Sequence, residues 1–543
     1  MNAVWGQESK ARELQADLVI IGASLGGCSA ALAALRQGLK VILTEETDWI
    51  GGQLTSQGVP PDEHAAIETH GANRSYRELR TRIRDYYRRH FPLTASSYED
   101  AHLNPGLGSV SRLCHEPRVA LAVLTDWMAP YLSSGQLTLL IEHEPTHADV
   151  VGDRVQSVTV RSRRLDRERS LQAPLVIDGT ELGDLLPLTK TDYVTGSEGK
   201  AQTQELHATD EADPNNEQAF TMCFAIDHVA GESHVIERPR AYTFWRDHVP
   251  ALTPAWSGKL LDWHYTHPRS GQRKKLGFNP PGTKHDGVVN LWTYRRISAA
   301  TRFQPERGHG DISLVNWPQN DYMLGSLIDV SKEIKQAHID ASKQLSLSLL
   351  YWMQTEAPRM DGGHGFPGLR LRPDIMGTED GLAKYPYVRE SRRIQAELTI
   401  LESHCGTENR AQLLGLPEDQ VSAMHYGDSV GVGSYPIDLH PSTAGDNYID
   451  FPALPFELPL GALLPKRVEN LLPACKNIGT THVTNGCYRL HPVEWGIGEA
   501  VGNLAAYCHQ QKTSPRAVRH QAKHWNAFQD RLHAEGVETQ WPS

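Results

Sequence analysis

Residues 22–27 read GASLGG, reached through DLVIIG (17–22) and followed by CSAALAALRQGLKVILTEE (28–46). The phosphate-binding turn of dinucleotide proteins reads Gly-x-Gly-x-x-Gly, and here Ser24 stands where the second glycine belongs. DLVIIG is a short β-branched run ending on glycine, the pattern of a buried parallel strand. GGCSAALAALRQG (26–38) reads as a helix of small residues stopping at Gly38. LKVILTEE (39–46) reads as a second buried strand ending in acids. Glu45 lies 23 residues beyond Gly22, close to the ~20 expected before a ribose-binding acid. Strand, turn, helix, strand and acid together predict one mononucleotide-binding unit. Gly22 makes the tight turn, Gly26 or Gly27 lets the helix approach the strand, and the helix N-terminus offers N–H groups to a pyrophosphate. Serine is the smallest replacement that carries a side chain, and its hydroxyl can donate to a phosphate oxygen. The turn is therefore expected to survive. GHGFPG (363–368) matches the glycine spacing letter for letter, but it follows TEAPRMDG rather than an apolar strand, and Pro367 stands where a helix should run. It reads as a loop, and no second fingerprint marks a separate nicotinamide domain.

The chain has 543 residues, 39% of them hydrophobic, enough for two or more intertwined lobes with a sizeable core. Its net charge of −11 disfavours nucleic acid and anionic membranes as partners. RELRTRIRDYYRRH (77–90) is locally basic with helical spacing, and reads as a solvated helix face. Seven cysteines are scattered without any Cys-x-x-Cys pair, which suits reduced thiols in the cytoplasm rather than disulfides or a zinc site. MNAVWGQESKARELQ (1–15) has no apolar core of the signal-peptide kind. The most apolar run, Leu18 to Leu35, is broken by glycines and serines and makes a poor membrane span. HAAIETH (64–70) lacks zincin spacing, and 26 dispersed histidines are not a metal centre; no metal is expected.

The segment TEETDWIGGQLTSQGVPPDEH (44–64) resembles the stretch after the second strand in the FAD-dependent oxidoreductase family, within the glutathione-reductase-like FAD superfamily. SRLCHEPRVA (111–120), VIDGTELGDLL (176–186), VNWPQNDY (315–322), YVRESRRI (387–394), DSVGVGSYPIDLHPS (428–442) and NLLPACKNIGTTHVTNGCYRLHPVEWGIGEAVGNLAA (470–506) follow in the family's order along nearly the whole chain. The resemblance implies FAD as cofactor, held between the N-terminal turn and a C-terminal helix whose N-terminus faces the flavin pyrimidine. It implies an α/β fold: a Rossmann-like FAD-binding domain of the glutathione-reductase type with a β-meander and an inserted mixed α+β substrate or cap domain. The residues' own patterns agree with that order. A helix is expected over Pro117 to Leu132, followed by a meander with VVGDRV (150–155) as its hairpin turn. APLVIDGTELGDLL (173–186) reads as a strand returning to an Asp-Gly turn. Pro492 reads as the first residue of a helix through VEWGIGEAVGNLAAYC. The expected divisions are 15–186 and 441–510 for the two parts of the FAD-binding domain, 187–440 for the substrate or cap region, and 511–543 for a helical tail.

Cofactor contacts are expected from Gly22, Ala23, Ser24, Gly26, Gly27, Glu45, Glu46, Gly52, Gln53, Asp178, Gly179, Asn485 and Val493. Flavin carries the redox chemistry, so the protein must bind substrate and manage one proton. The candidates for that work are His482, Arg489, His64, His115 and Tyr435, with His440 beside them and Gln53 able to reach flavin or substrate. Aromatics interleaved with Arg and His in FWRDH, LLDWHYTH, NLWTYRR and LLYWMQTEAP suit stacking on a polar ligand such as a sugar, nucleoside or amino acid, or else simply build core. LGSLIDVSKEIKQAHIDASKQLSLSLLYWMQ (324–354) reads as a long amphipathic helix, consistent with a lid. The expected activity is hydride removal from CH–OH or CH–NH of a small polar substrate. A flavin monooxygenase and a non-catalytic FAD-binding scaffold are the alternatives, and covalent FAD and a homodimer stay open.

Overall fold

The computed structural model describes residues 12–280, 282 and 284–542; most of the N-terminal segment on which the signal-peptide reading rests, residues 1–11, lies outside the described residues. Strand β1 (Leu18–Ile21) leads through the glycine turn into helix α1 (Leu25–Arg36) and strand β2 (Val41–Glu45). Helices α2 (Arg74–His90) and α3 (Pro117–Ser133) precede strand β3 (Leu137–Ile141). Strands β4 (His143–Val151), β5 (Arg154–Ser162) and β6 (Glu168–Gln172) form the meander, and β7 (Leu175–Asp178) returns. Far along the chain come helix α4 (Lys332–Thr355), strand β8 (Leu471–Pro473), the short helix α5 (His482–Tyr488) and helix α6 (His491–Gln511).

The central sheet is fully parallel, in the order β8-β7-β1-β2-β3. Its strands are apolar on both faces because both faces are covered. Leu18, Ile20, Val41 and Leu43 enter the core shared with α1 and α6, while Val19, Ile21, Ile42 and Val176 enter a smaller core under the meander. The alternation follows the two-residue period of the pleat. Register aligns Ile21 with Thr44 and Asp178, and Asp178 with Pro473. All four strand ends therefore open into one crevice, where open parallel sheets take their ligands.

Helices α1 and α6 cross with almost no side-chain spacer. A Cβ on Gly498 would lie 2.0 Å from the Gly26 carbonyl oxygen, and one on Gly502 would lie 2.4 Å from that of Ala30. Ser29 Oγ donates to the Trp495 carbonyl at 2.7 Å across this contact. Segments 466 to 468 residues apart in sequence thus meet beside the glycine turn. Helix α6 begins at His491, so Pro492 is its second residue rather than its first.

A second hydrophobic core is built from residues between Leu182 and Val388, with Val59 and Tyr448 added. Here the strands Arg296–Ser298, Ile312–Val315, Phe224–His228 and Leu369–Leu371 form a sheet, and α4 buries Leu345, Leu349, Leu350 and Met353 in the same core. The helix starts at Lys332, capped by Ser331, so residues 324–330 lie outside it. The interleaved aromatics are chiefly core: Trp263 stacks on Phe278 at 4.9 Å and meets Trp352 edge-on at 4.8 Å. The ligand-stacking expectation fails for these rings, because each finds an aromatic partner inside. GHGFPG is a loop, with Gly365 at φ +71°. The basic stretch is helical as expected, but its face is not wholly solvated. Arg80 and Arg84 are buried against Glu63 and Glu68, with Arg84 Nη2 2.6 Å from Glu68. All seven cysteines are buried and unbridged, and among the described residues no helix is long and apolar enough to cross a membrane.

Candidate functional site

The crevice at the strand ends contains a narrow cleft of about 30 Å³ whose walls include Gly22, Ser24, Glu45, Glu46, Gly52 and Gly179. Gly22 sits at φ +93°, and a Cβ there would lie 2.5 Å from the Gly179 backbone. Only glycine fits this position, both for conformation and for space. Ser24 caps α1, its Oγ accepting from Gly27 N–H at 3.1 Å. The cap uses an oxygen lone pair and leaves the hydroxyl proton free to donate, so serine serves both the helix and a ligand. Glu45 accepts from Ala23 N–H at 3.1 Å and from Thr47 at 2.9 and 2.8 Å. Burial raises its carboxyl to about 8 despite those bonds, and burial likewise raises Glu46, which also meets Arg163 at 3.1 Å. Glu45 is a desolvated acceptor that a ribose hydroxyl would satisfy, while Glu46 stays partly exposed beside its arginine. Asp178 differs. Its carboxylate binds Thr180 and Leu185 N–H, shaping the strand-end turn, and burial raises it to about 7. It is a builder of the turn rather than a wall of the cleft.

Behind the turn lies a buried polar cluster that sequence reading missed. Glu494, in the first turn of α6, accepts from Gly26 N–H at 3.1 Å, from Gln53 Nε2, and from the Cys475 thiol at 3.4 Å. Lys476 Nζ bonds Glu181 and stands 3.7 Å from Glu494. Burial works against the Lys476 ammonium, but the surrounding anions outweigh it and hold the proton on. Glu181, Cys475 and Glu494 bring ligand atoms within 4.8 Å of one another; the ammonium stands among them as their counter-charge. Glu181 also leans toward Gly52, where a Cβ would lie 2.4 Å from its Oε1, and so narrows the cleft.

Gln53 links this cluster to the next, since its Nε2 also donates to the Arg489 carbonyl at 3.0 Å. The Arg489 guanidinium is buried, donating to Tyr387 Oη at 3.3 Å and to the Asp438 carbonyl at 3.2 Å. Burial penalises Asp438, yet His440 and Arg489 hold it down at about 2. His440 Nδ1 meets Asp321 at 2.7 Å and its Nε2 lies 3.5 Å from Asp438. Asp321 is fully buried and also takes Arg389 at 3.1 Å, Thr221 at 2.6 Å and the Tyr448 hydroxyl. Tyr435 is half-buried; burial and then Asp62 and Asp438 push its phenol well up. Arg295, from the NLWTYRR stretch, pairs with Asp62 at 3.1 Å, and Asp62 N–H donates to His491 Nδ1 at 3.1 Å.

A second cavity, of about 300 Å³, is lined by His440 and His482 among mostly polar groups. His482 Nδ1 bonds Glu390 at 2.7 Å, and its backbone N–H donates to Glu198 at 2.8 Å. Burial disfavours the imidazolium, but the Glu390 carboxylate more than compensates and raises His482 above its ordinary value. Glu390 is itself pinned by Gln218 N–H at 2.6 Å and by Arg393 at 3.3 Å.

Four expected residues stand apart from these groups. His64 Nε2 faces the Gly71 carbonyl at 3.1 Å, and its ring packs edge-on against Trp541. His115 is buried, bonds the Glu116 carbonyl at 3.0 Å, and is lowered to about 4 by burial; neither histidine lines the two cavities. Asn485 Nδ2 donates to the Arg389 carbonyl at 2.6 Å, which orients that arginine's segment. Val493 is buried against Gly433. The missed residues lay inside stretches already singled out: Glu181 in VIDGTELGDLL, Asp321 in VNWPQNDY, Arg389 and Glu390 in YVRESRRI, Lys476 and Glu494 in the C-terminal block.

A parallel sheet with a glycine turn, a ribose-type acid and a helix N-terminus at one crevice defines a nucleotide-binding α/β protein. The chain belongs to the FAD dependent oxidoreductase family, whose pattern it matches over residues 17–532. Its cofactor is FAD. No curated protein matches it in sequence. Among solved structures it is similar to the myxobacterial chondrochloren halogenase CndH, 14% identical over 41% of this chain and 45% of that one, TM-score 0.22. A glycerol-3-phosphate dehydrogenase from Bacillus halodurans complexed with FAD is 13% identical over 39% and 40%, TM-score 0.22. A variant of E. coli quinol fumarate reductase FrdA is 11% identical over 96% and 74%, TM-score 0.33. The chain thus matches less than half the length of the halogenase and of the dehydrogenase.

Proposed function

We propose that this flavoprotein oxidises a CH–OH or CH–NH group of a small polar substrate bound in the 300 Å³ cavity, with His482 as the proton acceptor. The observation that carries the reading is the locked pair His482–Glu390 at the wall of that cavity. Glu390 holds Nδ1–H, which leaves the Nε2 lone pair for the substrate's proton. Gln218 and Arg393 fix the carboxylate, so the ring keeps one orientation. Glu45 and Glu46 are the acids for the ribose, the α1 N-terminus and Ser24 serve the pyrophosphate, and Gln53 and the start of α6 serve the flavin end. Seating the cofactor requires Glu181 to turn off Gly52. The chemistry FAD supplies when bound is acceptance of a hydride. Such a site, with its meander and inserted second core, corresponds to the glutathione-reductase type of FAD domain, and the chain works in the cytoplasm.

The test is anaerobic bleaching of the flavin by a panel of alcohols and amines. The native protein should be reduced by substrate alone, and His482→Gln should retain its flavin while losing at least ~100-fold in reduction rate, the usual worth of a positioned base. A requirement for an external reductant, or an unchanged rate in the variant, sinks the reading.

A further inference from the structure

The same cavity has an unbalanced wall. Glu198 pairs with Arg393 at 2.8 Å, His207 with Glu402 at 2.7 Å, and His440 and His482 with Asp321 and Glu390. Lys200, half exposed at the rim, meets Asp210 at 3.5 Å. Asp446 is the exception. Its Oδ2 accepts from Asn216 Nδ2 at 2.6 Å and Ser442 Oγ at 3.0 Å, both neutral donors. Among the described residues no cation lies within ion-pair distance of it, and its Oδ1 accepts no hydrogen bond. Asn447 beside it is spent on backbone groups at Pro254 and Tyr448. A half-buried carboxylate pinned by neutral donors, with one oxygen unused in a cavity of small-ligand size, is poised for a positive guest.

We infer that Asp446 selects a small amine, carried as the ammonium ion, and that the cavity rejects carboxylates and phosphates; this rests on the reading of the cavity as the substrate site. Apart from Lys200, which is half exposed at the rim 3.5 Å from Asp210, the cations on the wall are paired with buried carboxylates, so among the described residues an anionic guest inside the cavity would find no free counter-charge and would face Asp446. An ammonium would complete the balance with two or three hydrogen bonds to Oδ1 and neighbouring hydroxyls.

Charge-matched probes of one shape test this: ethanolamine, ethylene glycol and glycolate, titrated into the flavin-loaded protein at up to tens of millimolar, with the flavin difference spectrum and thermal shift as readouts. Ethanolamine should bind about tenfold or more tighter than ethylene glycol, a step worth ~1.4 kcal/mol, and glycolate should not bind. Asp446→Asn, nearly isosteric, should erase the preference with flavin content unchanged. Ser442→Ala, which frees Asp446 without neutralising it, should keep the preference. Equal binding of the three probes, preferred binding of glycolate, no response to any amine, or a preference intact in Asp446→Asn each overturns the inference. The two readings separate cleanly. Asp446-dependent amine binding without flavin reduction leaves this inference standing and removes the oxidation. Bleaching by neutral alcohols that ignores Asp446→Asn does the reverse.

Discussion

Replacing Gly498 by alanine sets two effects of opposite sign against each other. Helix propensity alone favours the change by ~1 kcal/mol, since glycine is a poor helix residue. The tertiary contact opposes it. The new Cβ would lie 2.0 Å from Gly26 O, 2.7 Å from Gly26 C and 2.8 Å from its Cα, where ordinary contact begins at 3.4 Å. None of these is a flexible side chain, so α1 and α6 must part by more than 1 Å. That parting strains or breaks Ser29 Oγ–Trp495 O and Gly26 N–Glu494, now 2.7 and 3.1 Å, at ~1 kcal/mol each. Overpacking adds ~1–3 kcal/mol, for a net loss of roughly 2–4 kcal/mol, a sizeable part of ordinary stability. Gly496 lies two residues earlier in the same helix, and a Cβ there meets only Asn73 Nδ2 at 3.9 Å. Gly496→Ala should therefore be neutral or slightly stabilising. Thermal unfolding of both variants, with the flavin content of each as purified, reads the comparison directly. Gly498→Ala should melt several degrees lower and lose FAD, because Gly26 lies in the turn proposed for the pyrophosphate. A Gly498→Ala protein as stable as the native one, or a Gly496→Ala protein equally damaged, would refute the close-approach argument.

Ser24→Arg removes the cap on α1, worth ~1 kcal/mol, and puts a long side chain where only 2% of the serine is exposed; the protein should purify without the visible flavin bands. Glu390→Gln takes away the anion that holds His482 above its ordinary value. The imidazole in the native protein stays protonated to higher pH than a free histidine, so its ring NMR titration should move to lower pH in the variant, where burial acts alone. Glu68 is opposed by burial, but Arg84 and Arg80 hold it at about 2 rather than 4.5. A depressed carboxyl stabilises fully above its unfolded value and loses that contribution as pH falls from 4.5 toward 2. Glu68→Gln should flatten the acid limb of a stability–pH curve over that window, and an unchanged limb would show that the Arg80–Glu68–Arg84 group carries none of it.

Where local pattern dominates, sequence and structure agree closely. The β1–α1–β2 unit, α3 beginning at Pro117, and the Gly152 hairpin each lie within a residue or two of their expected bounds. Periodicity, glycine and proline speak about neighbours in the chain, and these elements are made by such neighbours. The imperfect GASLGG was readable as a strand-to-helix turn because its flanks carried strand and helix, just as GHGFPG was dismissed by its flanks.

The chemistry is another matter. Glu181 and Lys476 are 295 residues apart, Gln53 and Glu494 are 441 apart, and His482 and Glu390 are 92 apart. No local period announces such pairs, because burial brings them together and burial is a property of the folded whole. It also decides their meaning. Arg80 and Arg84 look like a solvated face until Glu63 and Glu68 fold over them, and the tryptophans look like a ligand wall until Trp263 stacks on Phe278 and meets Trp352 edge-on in the core. By itself the sequence determined the nucleotide unit, the family and the cofactor, since each is written in contiguous residues. Only the tertiary structure decided which acids are desolvated, which carboxylates the cavity's histidines meet, and which carboxylate at the cavity has no cation beside it among the described residues.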